Sequence, residues 1–277
     1  MEKSLYSAEW VESYYDEFAG QEWDRLVRTP AREIQLAVHA NALTTFTREG
    51  DRVLEVGAGP GRFTQILAQL GATIVVTDIS QVQLDLNREN ATTYGFAGHV
   101  AEWRKLDICD LSFYASESFD SVVAFGGPLS YVFDRRDQAI EECKRVTKPG
   151  GFIALGVMSL WGTVHQYLEG VLGYTPEENA RIIATGDLTS ENAKFASHFC
   201  HLFHSGELKQ FLENHDLEVT FVSASSGLSA VHASVLDAVR TDELKWKQLV
   251  AMEIQACQTT GYLDAGTHLI AVGHKPS

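Results

Sequence analysis

The stretch VLEVGAGPGRFT, residues 53–64, constrains this chain more than any other, because a buried strand runs straight into three glycines and then into a helix. Val53, Leu54 and Val56 form the apolar run expected of a strand covered on both faces. Gly57, Gly59 and Gly61 permit positive φ and let a ligand approach bare backbone. Pro60 presets the first helical turn. In open α/β sheets a nucleotide-like cofactor sits at such a junction. The spacing is G-x-G-x-G rather than the dinucleotide fingerprint G-x-G-x-x-G, so a pyrophosphate on the helix N-terminus fits less well. Glu55 points the same way, since a carboxylate just ahead of the glycines repels pyrophosphate and suits a ligand carrying positive charge.

Further strands follow at regular distances. TIVVTD, Thr73 to Asp78, is β-branched and ends in an acid that can accept both hydroxyls of a ribose. RKLDICDL brings Asp107, with Asp110 as a rival. FDSVVAF, residues 119–125, is followed by GGPLSYV, a helix over 135–146 and then the strand KPGGFIALGVM. Taken singly, Glu55 could pair with Arg62, and Asp78 or Asp107 could be an ordinary solvated acid. Three acids at the carboxyl ends of three successive strands are better explained by one shared ligand site.

In these residues the chain resembles the Rossmann-like, class I S-adenosylmethionine-dependent methyltransferases, over about residues 10–274. The resemblance implies an α/β fold with a seven-stranded, mostly parallel sheet whose antiparallel last strand, here HLIAVGHK, slots between strands five and six. It also implies S-adenosylmethionine as cofactor. Gly57, Ala58, Gly59 and Gly61 would pass under its methionine end, and Glu55 would hold the ammonium region. Asp78 would take the ribose and Ile79 would lie on the adenine. Asp107 and the backbone N–H of Ile108 would meet the adenine edge, Phe125 would join the site, and Tyr15, in a Y-D-x-x-A pattern, would fold over the cofactor. The stretches EWDRLVRTPAR, GGPLSYV and CHLF-x-x-x-EL are similar to those of a bacterial and archaeal subgroup of small methyltransferases, although His204-Ser205 replaces the Arg-Pro or Thr-Pro often found there.

Length and composition fit one globular domain: 277 residues, 45% hydrophobic and 21% charged. The N-terminus mixes both charges, and the longest apolar run falls far short of the ~20 residues a membrane helix needs, so a cytoplasmic location without membrane association is expected. Cys109, Cys143, Cys200 and Cys257 contain no C-x-x-C pair and signal neither a disulfide framework nor a zinc site. A formal charge of −15 repels phosphate backbones, which argues against nucleic acid and favours a small, neutral or cationic acceptor.

Residues 7–46 read as two aromatic-rich helices forming a lid, 50–158 as the cofactor-binding core, 159–205 and 228–260 as helical cap insertions, and 206–227 with 261–277 as the remaining core. Ser205 is expected to cap a helix over 206–214. His198, His201 and His204 alternate faces if extended, and no metal site is expected. Tyr131, His165 and His201 are the candidate catalytic side chains, required only if the acceptor must lose a proton. A D/N-P-P-Y tetrad for base methylation is absent, since Gly126-Gly127-Pro128-Leu129 stands in its place. Two other classes compete: a cofactor-binding regulator without turnover, and a nicotinamide-dependent oxidoreductase, which should carry the longer glycine spacing.

Overall fold

The computed structural model describes residues 4–192, 198–231 and 233–277, so residues 193–197 of the expected cap and residue 232 of the second excursion lie outside the described residues. Among the described residues nine strands are present: β1 Arg52–Val56, β2 Thr73–Asp78, β3 Val100–Lys105, β4 Phe119–Ala124, β5 Thr147–Met158, β6 Asp187–Leu188, β7 Cys200–His201, β8 Glu218–Ala224 and β9 His268–His274. Seven of them form one sheet in the order β3-β2-β1-β4-β5-β9-β8. β1 to β5 run parallel, and β9 is antiparallel to both neighbours, so the last strand sits where the sequence predicts. The chain has the Rossmann-like α/β fold.

Apolar runs in the strands serve two cores at once. Val53, Ile74, Val76 and Val123 pack into one, whereas Leu54, Val75, Val122 and Ala124 pack into the other; this follows from the alternation of side chains along a strand. The helices are α1 Ala8–Phe18, α2 Gln21–Arg25, α3 Pro30–Phe46, α4 Arg62–Gln69, α5 Gln81–Thr93, α6 Pro128–Tyr131, α7 Arg136–Val146, α8 Leu160–Gln166, α9 Leu168–Val171, α10 Pro176–Thr185, α11 Ser205–Asn214, α12 Ala233–Arg240 and α13 Glu243–Cys257. The first core is covered by α3, α4 and α5 through Val38, Leu43, Leu67 and Leu84. α7 and α11 cover the second through Ile140, Val146, Leu208 and Leu212.

Three helices, not two, precede β1. Ser7 and Thr29 accept the N3 backbone N–H groups of α1 and α3, and such caps stabilise a helix by about 1 kcal/mol each. Ala19, at φ 42°, and Gly20 break the first helix and set α2 at an angle to it. The α2 turn carries the buried Trp23. A third, smaller cluster joins the N-terminal segment to the cap: Val11, Tyr131, Met158, Leu160, Ile182, Cys200 and Leu202.

Residues 159–205 are not purely helical. After α8, α9 and α10, Gly186 in the left-handed region ends the helical run, and β6 pairs antiparallel with β7. At two residues each, these strands are too short to leave a periodic pattern. α11 begins at Ser205, with His204 rather than Ser205 as its cap. Ser205 is engaged by Asp264 instead, through its N–H at 2.8 Å and its hydroxyl at 2.6 Å. α12 and α13 pack on α3.

Close backbone approach fastens the cap to the sheet. Ser159 donates its N–H to the Thr267 carbonyl at 2.9 Å, and a Cβ at Gly162 would stand 1.7 Å from the Gly266 carbonyl oxygen. No ordinary rotamer adjustment relieves a clash with backbone. Gly162→Ala should therefore lower stability by about 3 kcal/mol, read from urea unfolding; a loss below about 1 kcal/mol would show that the two segments are not held at this distance.

Candidate active site

The glycine loop between β1 and α4 is shaped by two acids. Gly57, Gly59 and Gly61 have φ values of 65°, 55° and 98°. A Cβ at Gly57 would meet Pro128 Cγ at 2.5 Å, so the loop also lies too close to α6 for any larger residue. The N–H of Gly59 donates to Asp78 Oδ2 at 2.8 Å and that of Ser80 to Oδ1 at 2.9 Å. Asp78 is 5% exposed. Burial raises its pKa to about 6, against the opposing backbone hydrogen bonds. Glu55 lies deeper, on the side of α4. Thr64 Oγ1 donates to its Oε2 at 2.7 Å, while Oε1 is buried with no partner among the described residues. Burial pushes its pKa to about 8.

Over this loop opens a cleft of about 840 Å³ including its mouth, large enough for a cofactor. The structure brings Tyr15, Gly57, Ala58, Gly59, Asp78, Ile79, Asp107, Ile108, Phe125 and Tyr131 to its wall. Glu55 and Gly61 do not line it. Gly61 is the N-cap of α4, and Glu55 is sealed beneath the loop. Of the two rival acids, Asp107 faces the cleft, and Asp110 is exposed outside it.

Three lining residues were missed in the sequence. Tyr6 donates its hydroxyl to Asp107 Oδ2 at 2.6 Å. Glu22 and Arg25, one turn apart on α2, pair at 2.6 Å. Glu22 sits directly above the loop, its Cγ 3.9 Å from where a Gly59 Cβ would be. Arg62 anchors α2 there: its guanidinium stacks 3.7 Å from the Trp23 ring centroid and donates to the Trp23 carbonyl at 2.6 and 3.1 Å. The stretch EWDR carried the signal as an acid–base pair at i, i+3 next to an aromatic residue, but nothing local tells which way it faces.

A second cavity of about 850 Å³ adjoins the first and shares Tyr15, Glu22, Arg25, Gly126 and Tyr131 with it. Where they meet, the Tyr15 hydroxyl donates to Tyr131 at 2.6 Å, and Tyr131 contacts His198 Nε2. That network assigns the lone pair to Nε2 of His198. Burial, then the nearby Arg25, holds the His198 pKa down to about 4, so the ring is neutral at physiological pH. Tyr14, Phe18, Met158, Tyr167, Leu188 and Leu202 make much of the remaining wall.

Residues 54–155 match the methyltransferase domain family. Those residues carry a methyltransferase domain. It is 31% identical over 136 residues to methyltransferase GfsG of Streptomyces halstedii, a match covering 48% of this chain and 47% of that protein. The chain spans less than half the length of the curated relatives first in similarity. Among solved structures it is similar to a chain in the complex between the Haloferax volcanii Trm112 methyltransferase activator and a methyltransferase (19% identity, TM-score 0.59, 98% and 97% of the two chains). It also resembles the [4+2]-cyclase SpnF (17% identity, TM-score 0.60, 100% and 99%). At such identities these structures speak for the fold alone.

Of the three side chains expected to act, Tyr131 lines both cavities, whereas His201 and His165 lie elsewhere. His201, 1% exposed, has both ring nitrogens occupied, Nδ1 by Asp187 at 2.7 Å and Nε2 by Glu207 at 2.8 Å, and lines neither cavity. It therefore has no nitrogen left for a substrate, and it ties β7 to β6 and α11. His165 is exposed on α8, while Thr163 and Tyr167 beside it face the second cavity. His198, the third of the sequence's spaced histidines with His201 and His204, is the one that reaches the junction. His204 instead packs against Trp161, and no metal-ligating cluster forms among the described residues.

Burial draws the His201 pKa down, but the two carboxylates outweigh it and leave the group above 6.5. Its ion pairs thus contribute fully below pH 6.5 and fade as pH rises through the raised value. His201→Ala should cost about 2 kcal/mol, more at pH 6 than at pH 9, with S-adenosylhomocysteine affinity unchanged. Loss of ligand binding in a stably folded variant would return His201 to the site.

Proposed function

We propose that this chain transfers the methyl group of S-adenosylmethionine to a small-molecule acceptor held in the second cavity. The observation that carries the reading is the shared wall of the two cavities, where Tyr131 is seen from both sides and is backed by a neutral histidine. The residues of the first cleft fit the cofactor chemically. Asp78 offers a carboxylate for ribose hydroxyls, and Asp107 an acceptor for an adenine amino group. The Glu22–Arg25 pair matches the opposite charges of an amino-acid tail. The unpartnered Oε1 of Glu55 beneath the loop would be satisfied by a buried water.

When bound, the cofactor supplies an electrophilic methyl on a positively charged sulfur. The chain's own work is to align and to dry the site. Transfer of that methyl to the acceptor's nucleophilic atom would leave the electron pair of the broken carbon–sulfur bond on the cofactor. An O–H or N–H acceptor must then lose a proton. Tyr131 oxygen can accept it while passing its own proton to the lone pair of His198 Nε2, a proton that burial and Arg25 then drive off the ring.

A second reading is binding of the cofactor without methyl transfer, since the [4+2]-cyclase SpnF shows that this fold also carries other chemistry. Measured consumption of the methyl donor across an acceptor panel separates the two. The cofactor part is tested by calorimetry with S-adenosylmethionine, S-adenosylhomocysteine and NAD. Both sulfur compounds should bind and NAD should not. Because an ionised Asp78 is needed and its pKa is about 6, affinity should be flat above pH 7 and fall about tenfold per unit below pH 6. Asp78→Asn should weaken binding at least about tenfold at pH 7.5; unchanged affinity on either count contradicts the assignment.

A further inference from the structure

The chain's charge of −15 favours a neutral or cationic acceptor, yet the second cavity is lined the other way. Its only carboxylate among the described residues is Glu22, and Arg25 already neutralises it at 2.6 Å. Arg32 also lines it, near the start of α3, with His268 and Thr267 at the start of β9, and none of these three belongs to the cofactor cleft. Arg32 has no carboxylate partner among the described residues. Its Nη1 donates to Gln35 Oε1 at 2.8 Å, which fixes the Gln35 amide so that Nε2 faces Ser225 Oγ at 3.1 Å and His268 Nδ1 at 3.3 Å. With Nδ1 accepting, His268 carries its proton on Nε2 and is a neutral donor. Burial and the positive groups gathered around it, Arg25 foremost, keep it from charging. The result is one uncompensated guanidinium and a neutral N–H at a cavity largely walled by aromatic and aliphatic side chains, the Thr267 hydroxyl donating to His268 Nδ1 at 3.0 Å.

From this geometry we infer that the acceptor is an aromatic or aliphatic carboxylic acid, its carboxylate gripped by Arg32 and His268 and its reacting atom directed to Tyr131 and His198. The inference rests on the proposed methyl transfer for the acceptor's role, but not for its binding. One full cation matches a monoanion, and a guanidinium fork matches the two oxygens of a carboxylate. A phosphate ester carries about two charges at neutral pH and is left half unpaired by the same set. An ammonium would meet like charge. The carboxylate is a handle rather than the methylated group, because the residues that grip it lie outside the wall shared with the cofactor cleft.

The test is a thermal-shift and calorimetric comparison of phenylacetate, phenylacetamide, phenethylamine and phenyl phosphate at up to about 10 mM, a range suited to fragment affinities, with and without saturating S-adenosylhomocysteine. Phenylacetate should bind at least tenfold more tightly than the other three. Arg32→Gln should abolish that preference, and Arg32→Lys should restore only part of it, while S-adenosylhomocysteine affinity stays the same in both. Equal or better binding of the amide, amine or phosphate ester, a preference that survives Arg32→Gln, or no binding of phenylacetate overturns the inference. Failure of the chain to bind S-adenosylhomocysteine would instead sink the methyltransferase reading and leave the carboxylate preference measurable without it.

Discussion

A carboxylate buried at the end of β2 organises the site. Removing the Asp78 charge from water is costly, and the N–H groups of Gly59 and Ser80 offset part of that cost by pointing at it. The same bonds hold the glycine loop down against the sheet and the start of α5 against β2. Loop shape, helix entry and ligand-binding charge therefore depend on one side chain. The pKa near 6 records the balance: the group is ionised at neutral pH but close to the limit that its surroundings permit.

Above that platform the N-terminal segment is laid across the carboxyl edge of the sheet by polar contacts as well as by the burial of Val11, Trp23 and Leu26. Tyr6 reaches Asp107, Asp16 accepts from Ser80 at 2.5 Å, Gln83 holds the Tyr15 carbonyl at 2.8 Å, and Arg62 holds Trp23. Each such bond stabilises by about 1 kcal/mol net.

Much of this was legible in the chain itself. The order of the strands, the loop at residues 57–61 and the acids Asp78 and Asp107 follow from patterns confined to a dozen residues each. What the sequence hid depends on partners far along the chain. His201 looked available because nothing near it in sequence announces Asp187 or the pairing of β6 with β7. His198 passed as one of three spaced histidines until the fold set it beside Tyr131. Arg32 and His268, separated by most of the chain, meet only through the packing of α3 against β9. Net charge is a coarse guide for a related reason: it sums the whole chain, whereas Arg25 and Arg32 line the second cavity with Glu22 as its one carboxylate among the described residues. The Glu55 role is a different case, since its place below the loop follows from the pleat, Val53 and Glu55 facing the same side of β1.

The most direct measurement is a crystal structure with S-adenosylhomocysteine bound. The account predicts ribose hydroxyls on Asp78, the adenine edge at Asp107 and Ile108, the amino-acid tail between the glycine loop and α2, and the sulfur facing Tyr131 across the opening to the second cavity. A product molecule lodged elsewhere, or seated with its sulfur turned away from Tyr131, would contradict it.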